Sequence, residues 1–252
     1  VCYFSGTTPA VVNTLAAKGV LELYEEEIDR NPYVNAESLR QEQEIVLSQE
    51  QQTAFDRMYS LYRERAGAVS LLYGVTGSGK TSVFLRLIDQ VQAEGDGVIV
   101  MVPEISLTPQ MVFLFHCRYG KNVAVFHSGL TLAERLDEWK RVRRGEATIA
   151  VGTRSAVFAP LDNIGLIIMD EEQEGTYKSE SAPRYHARDI AKFRCSYHKA
   201  LLVLASATPS VESFYNALHN KYQLNRLSTR YGQAELPDVK IVDMNNAVSY
   251  TH

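Results

Sequence analysis

A chain of 252 residues that is 45% hydrophobic and 22% charged holds enough apolar material for one large core and a smaller appended piece. Its net charge of −4 exerts no overall pull on polyanions, so any nucleic-acid binding must come from a local face. Cys2, Cys117 and Cys195 lie too far apart to support a disulfide framework or a zinc site and fit a reducing compartment, and no apolar run is long enough to span a membrane.

The chain starts at Val1 in mid-pattern and reads as a piece of something longer, with no secretory signal at its start. Thr7–Lys18 reads as a short helix with Pro9 in its first turn and Gly19 as its stop. From Val20 to Ile28 apolar residues alternate with acidic ones, up to Asn31-Pro32. A helix running into such a strand resembles the end of a winged-helix module whose helix faces DNA. It reads equally as a helix–strand remnant with a solvated acidic edge. Residues 1–33 therefore form a first segment, and the polar, aperiodic residues 34–48 form a linker.

At Gln49 a helix begins, with Ala54, Phe55, Met58, Leu61 and Tyr62 at helical spacing. The apolar run Val69–Tyr73 follows, then a glycine-rich loop, then a helix with Phe84, Leu87, Ile88 and Val91 on one face. Gly95-Asp96-Gly97 turns into Val98–Val102, a continuous apolar run typical of a strand buried on both faces. Helical spacing returns at Leu107, Met111, Val112, Leu114 and Phe115, before a strand at Val123–Phe126. Thr131-Leu132-Ala133-Glu134 is a capping box opening a basic helix that ends at Gly145. Further strands are expected at Ala147–Val151, Ile164–Met169 and Leu201–Ala205, and helices near 186–197 and 209–219. This alternation predicts an α/β domain over 49–230, with a mostly parallel, doubly wound sheet.

The loop Gly74-Val75-Thr76-Gly77-Ser78-Gly79-Lys80-Thr81 has the G-x-x-x-x-G-K-[ST] spacing of a P-loop, between strand and helix as that motif requires. Glycines let successive N–H groups point into one concavity at a helix N-terminus, where phosphates sit. Lys80 adds a point charge for the β- and γ-phosphates, and the Thr81 hydroxyl completes a Mg²⁺ shell. The strand 166–169 ends abruptly in Asp170-Glu171-Glu172-Gln173, which puts carboxylates on the sheet edge that carries the P-loop. Asp170 suits Mg²⁺ and Glu171 suits a general base acting on water. Ser206-Ala207-Thr208 closes the next strand, where Ser206 and Thr208 either sense the γ-phosphate or simply form a small-residue turn and cap.

The motifs V-P-E-I-S-L-T-P-Q (102–110), H-S-G-L (127–130), G-T-R-S-A-V-F (152–158), D-E-E-Q (170–173), P-R-Y-H-A-R-D (183–189) and A-S-A-T-P-S (205–210) follow the P-loop in order. Over residues 48–230 this series resembles the PriA-type replication-restart helicases of superfamily 2. The resemblance implies a RecA-like first motor lobe of a 3′-to-5′ DNA helicase using ATP and Mg²⁺ in a bacterial, nucleoid-associated cytoplasmic setting. Implied partners are single-stranded and forked DNA, primosome proteins and single-strand-binding protein. Gln51 falls where the family reads adenine. Thr108, Gln110, Thr153 and Arg154 fall on its single-strand path, and Tyr177, Tyr185, His186 and Arg188 on an aromatic-rich loop that couples DNA to hydrolysis. The family has histidine where Gln173 stands, and glutamine can still bond toward Ser206. Residues 231–252 would begin the connection to a second lobe, which brings arginine fingers and a zinc module, so zinc is expected only there. A P-loop phosphotransferase and a non-catalytic DNA-binding module are the rival readings.

Overall fold

A computed structural model describes residues 8–22 and 45–230. The chain divides into two units, residues 1–32 and 33–252. In the first, α1 (Pro9–Ala17) starts at Thr8 with proline in its first turn, and Gly19 follows at φ +70°, where glycine is at ease. The alternating strand expected from Val20 falls mostly outside the described residues, as do the winged-helix reading of residues 1–33 and the connection at 231–252.

The second unit is built on seven strands, β1 (Val69–Gly74), β2 (Gly97–Met101), β3 (Val123–Phe126), β4 (Ile149–Gly152), β5 (Ile164–Met169), β6 (Leu201–Ser206) and β7 (Gln223–Leu227). Every pairing is parallel, in the order β3-β4-β2-β5-β6-β1-β7. The two-residue period of a strand sends alternate side chains to opposite faces. Val98 and Val100 of β2 join one core layer with Leu72, Val125, Val151, Ile168 and Val203, while Ile99 and Met101 join the other with Leu71, Ala150, Ile167 and Leu204. The helices α2 (Gln49–Glu64), α3 (Lys80–Ala93) and α4 (Pro109–Tyr119) cover the first face through Phe55, Met58, Ile88 and Phe115. The second is covered by α6 (Ala187–His198) and α7 (Val211–Leu218), with residues 156–161, through Val157, Ala191, Cys195 and Ala217. Both layers make the strands read as unbroken apolar runs.

Three details differ from expectation. Ile45 and Leu47, placed in a linker, pack against the first core layer. Leu107 precedes rather than opens α4, whose N-cap is Thr108. Finally, β7 (Q-L-N-R-L) was not anticipated. It lies at the sheet edge with only Asn225 and Leu227 buried, so its polarity does not read as a core strand.

At the opposite edge, β3 leaves one side unpaired, a template for unwanted strand addition. The helix α5 (Leu132–Arg143) closes it with charge. Buried Glu138 accepts the Val125 N–H at 2.9 Å, and buried Arg141 donates to the Val123 carbonyl at 3.2 Å and to that of Lys121, while the two side chains pair at 2.8 Å. Removing one partner strands a buried charge and frees the edge together. Glu138→Ala or Arg141→Ala is expected to cost about 3–5 kcal/mol and to promote self-association, measured by thermal unfolding and light scattering.

Candidate functional site

The strands all end on one edge, and their exit loops collect the predicted residues there. At β1 the backbone turns through Gly77 and Gly79, each at φ +79°, and Gly79 caps α3. A side chain at Gly77 would meet nothing, so its backbone angle is what requires glycine. Gly74 is constrained by space, since a Cβ would lie 2.5 Å from the Ser78 Oγ. The loop encloses a cavity of about 430 Å³, lined by residues 76–82 with Asp170 and Glu171.

The donors around this cavity fit a triphosphate with a divalent cation. Lys80 is buried, and its ammonium donates to the Gly74 carbonyl at 2.8 Å, which holds the charge inside the loop. The Ser78 hydroxyl is buried without a partner, and Thr81 is exposed at the first turn of α3. Opposite, burial and the neighbouring negative Glu171 push the Asp170 carboxyl up to about 6, against the opposing pull of the Glu171 N–H and Lys80. Glu171 sits at φ +43°, a left-handed conformation that costs a non-glycine residue on the order of 1 kcal/mol or more. Its N–H donates to the Asp170 Oδ1 at 3.0 Å.

A hydrogen-bonded chain leaves the carboxylates. The Gln173 amide donates to Glu171 Oε2 at 3.0 Å and accepts from the Ser206 hydroxyl at 2.6 Å, and Ser206 in turn accepts the Thr208 N–H at 2.8 Å. Glutamine at 173 thus joins the carboxylates at the end of β5 to the residues at the end of β6.

Several predicted residues face inward instead. Gln51 is buried. Its amide accepts the Ser48 N–H at 2.9 Å in a capping box and donates to the Ser78 carbonyl at 2.8 Å. That geometry fastens α2 to the P-loop. The Tyr177 ring is 1% exposed and its hydroxyl donates to the Asp170 carbonyl at 2.6 Å, so no base can stack on it. It braces the carboxylate turn from below. Thr153 is buried with its N–H on the Phe126 carbonyl. Thr108, by contrast, stays exposed and caps α4 by accepting the Met111 N–H.

Arg188 is also buried, and here sequence reasoning missed its partner, Glu172. Glu172 accepts the Ser210 N–H at 2.7 Å, the Ser213 hydroxyl at 3.0 Å and Arg188 at 3.3 Å, while Arg188 also pairs with Glu212. This cluster locks the turn after β5, the start of α6 and the start of α7 into one body. The signal was a third consecutive carboxylate after a buried strand, of which only two are needed at the cavity.

The remaining candidates lie at the surface beyond the ends of β2 and β4. Gln110 is exposed on the first turn of α4, and Arg154 donates to the Thr176 carbonyl at 3.2 Å and the Lys178 carbonyl, its guanidinium 5.8 Å from the Tyr185 ring. His186 caps α6 by accepting the Arg188 N–H, and burial lowers its pKa below the usual value. A bridge between Lys178 and His186 closes the base of the loop that carries Tyr185.

Comparison with known proteins adds to this geometry. Residues 48–216 match the family model of the DEAD/DEAH box helicases. The replication restart protein PriA of Bacillus subtilis is 44% identical over 243 residues, covering 96% of this chain and 30% of its own length. That of Haemophilus influenzae is 39% identical, covering 94% of this chain and 33% of its own length. The chain thus spans about a third of the curated relatives it matches. Among solved structures, RecG bound to a three-way DNA junction superposes with a TM-score of 0.53 at 18% identity, over 80% of this chain and 26% of RecG, a likeness of fold.

The raised Asp170 carboxyl has a stability consequence. The folded chain holds that proton up to about pH 6, whereas an unfolded chain releases it near 3.8, so stability falls as pH rises across that window. Above pH 6, Asp170→Asn is expected to raise unfolding stability by about 1–3 kcal/mol, a gain that shrinks below pH 5 in melts over a pH series.

Proposed function

The chain belongs to the DEAD/DEAH box helicase family, and from that premise we propose that it is the ATP-binding lobe of a 3′-to-5′ DNA helicase acting in primosome assembly and the restart of stalled replication forks. One observation carries the reading. A P-loop and a carboxylate pair line one cavity, and a bonded chain through Gln173 and Ser206 runs from that cavity along the same sheet edge.

Lys80 holds positive charge inside the loop, toward the β- and γ-phosphates, while the N–H groups at the start of α3 face the phosphate oxygens. Thr81 and Asp170 would hold Mg²⁺, which would supply neutralisation of the charge that develops on the phosphoryl oxygens. Glu171 accepts the proton of the attacking water, its position fixed by the left-handed turn and the Gln173 amide. Gln173, Ser206 and Thr208 relay the state of that carboxylate to the end of β6. Thr108, Gln110, Arg154, Tyr185 and His186 form the DNA-facing half, with Thr153, Tyr177 and Arg188 supporting it from beneath. Single-stranded and forked DNA are the substrates, the name of the relatives favours replication-restart proteins as partners, and the motif resemblance adds single-strand-binding protein to them. No helix among the described residues is long and apolar enough to cross a membrane, and a cytoplasmic, nucleoid-associated site of action fits this reading.

ATP turnover of the intact protein, with and without forked DNA, tests the proposal. DNA is expected to stimulate turnover, and Lys80→Ala to lower it on the order of 100-fold. Turnover that DNA does not stimulate and that needs a small-molecule acceptor would favour a phosphotransferase. Full fork-restart activity in Lys80→Ala would favour a non-catalytic DNA-binding module.

A further inference from the structure

On the DNA-facing half an aromatic ring stays half exposed between buried neighbours. Phe158 ends the 3₁₀ turn Arg154–Phe158 that follows β4, and its neighbours Val157 and Ala159 are buried while its own ring is 52% exposed. The ring meets Tyr185 edge to face, with centroids 5.1 Å apart and planes at 74°. Tyr185 is itself half-buried against the second core layer, and the Ser179 N–H bonds to its carbonyl at 2.8 Å. The Arg154 guanidinium lies 5.8 Å from the same Tyr185 ring, tied to the carbonyls of Thr176 and Lys178. Two loops that are distant in sequence thus build one aromatic step with a fixed guanidinium beside it. Exposed Lys178 and Arg184 flank the step, with Glu180 the one carboxylate in the same loop.

We infer that Phe158 is a nucleobase-stacking residue: its exposed ring, propped on Tyr185, offers a flat face to one base of a single strand, while Arg154, Lys178 and Arg184 attract the backbone phosphates. Aromatic rings interleaved with cations are the chemistry by which proteins hold single strands without reading sequence, because every base has a π-face. The step lies beyond the end of β4, one strand beyond β2 from the carboxylates of β5. A base held there sits against the loop whose foot is locked to the carboxylate turn through Arg188 and Glu172. This assignment rests on the DNA-binding reading of the same edge.

The test compares an oligothymidylate with the same strand carrying abasic sites, by fluorescence anisotropy on the protein and on Phe158→Ala and Phe158→Trp. Wild type is expected to prefer the base-bearing strand. Phe158→Ala should lose about 5- to 100-fold in affinity for that strand, bind the abasic strand as wild type does and melt at the wild-type temperature. Phe158→Trp should keep the preference. Phe158→Ala that binds the base-bearing strand as tightly as wild type overturns the inference, and so does an equal loss on both strands. Wild type that binds neither strand overturns the DNA reading itself, a different failure.

Discussion

Seven strands running in one direction impose a single constraint: every loop that follows a strand leaves at the same edge. Sites on parallel sheets gather there for that reason. In this chain the order of strands also partitions the edge. The neighbours β5, β6 and β1 carry the carboxylates, the Ser206–Thr208 turn and the P-loop, while β3, β4 and β2 carry the 127–130, 152–158 and 102–110 segments. On the proposed function, a nucleotide half and a nucleic-acid half therefore lie side by side because of topology.

The boundary between the halves falls at β5, and the residues there are unusually burdened. Asp170 carries a carboxyl whose ionisation the site opposes, and Glu171 holds a left-handed backbone angle. Each is a local cost that a fold tolerates only where its surroundings over-determine it. Those surroundings are specific: the Tyr177 hydroxyl on the Asp170 carbonyl, the Gln173 amide on Glu171, and the Glu172 N–H on the Ala205 carbonyl. The turn is held from three sides, which leaves its two outward carboxylates little freedom of position.

Much of this was legible in the sequence. Apolar runs of strand length located six strands, and the glycine spacing at 74–81 located the loop, because backbone geometry there admits few other residues. What stayed illegible was direction. At the end of a buried strand, a polar or aromatic residue reads the same whether it points into solvent or back beneath the turn. Tyr177 and Arg188, set among aromatics and cations, look like binding residues, yet the reversal of chain between 174 and 187 turns both inward. Phe158 stands between Val157 and Ala159, which are buried, and the tight 3₁₀ turn rotates its ring outward. For Gln51, the glutamine type was right for an amide that both donates and accepts, but its partners are Ser48 and Ser78.

The Glu172–Arg188 pair shows why such inward polar residues persist. Buried ion pairs contribute little net stability, since desolvation of both groups offsets their attraction, and apolar residues of equal volume often serve the fold as well. An apolar replacement here would fill space but could not reach four groups on three segments at once. Glu172 takes donors from Ser210, Ser213 and Arg188, and Arg188 adds Glu212. A cluster of this kind has few satisfied arrangements, so the segments it joins move together or not at all. The carboxylate turn, the start of α7 and the start of α6, which follows the loop bearing Tyr185, thereby share one rigid body. A displacement at the aromatic step has a mechanical route to Glu171 that packing alone would not give it.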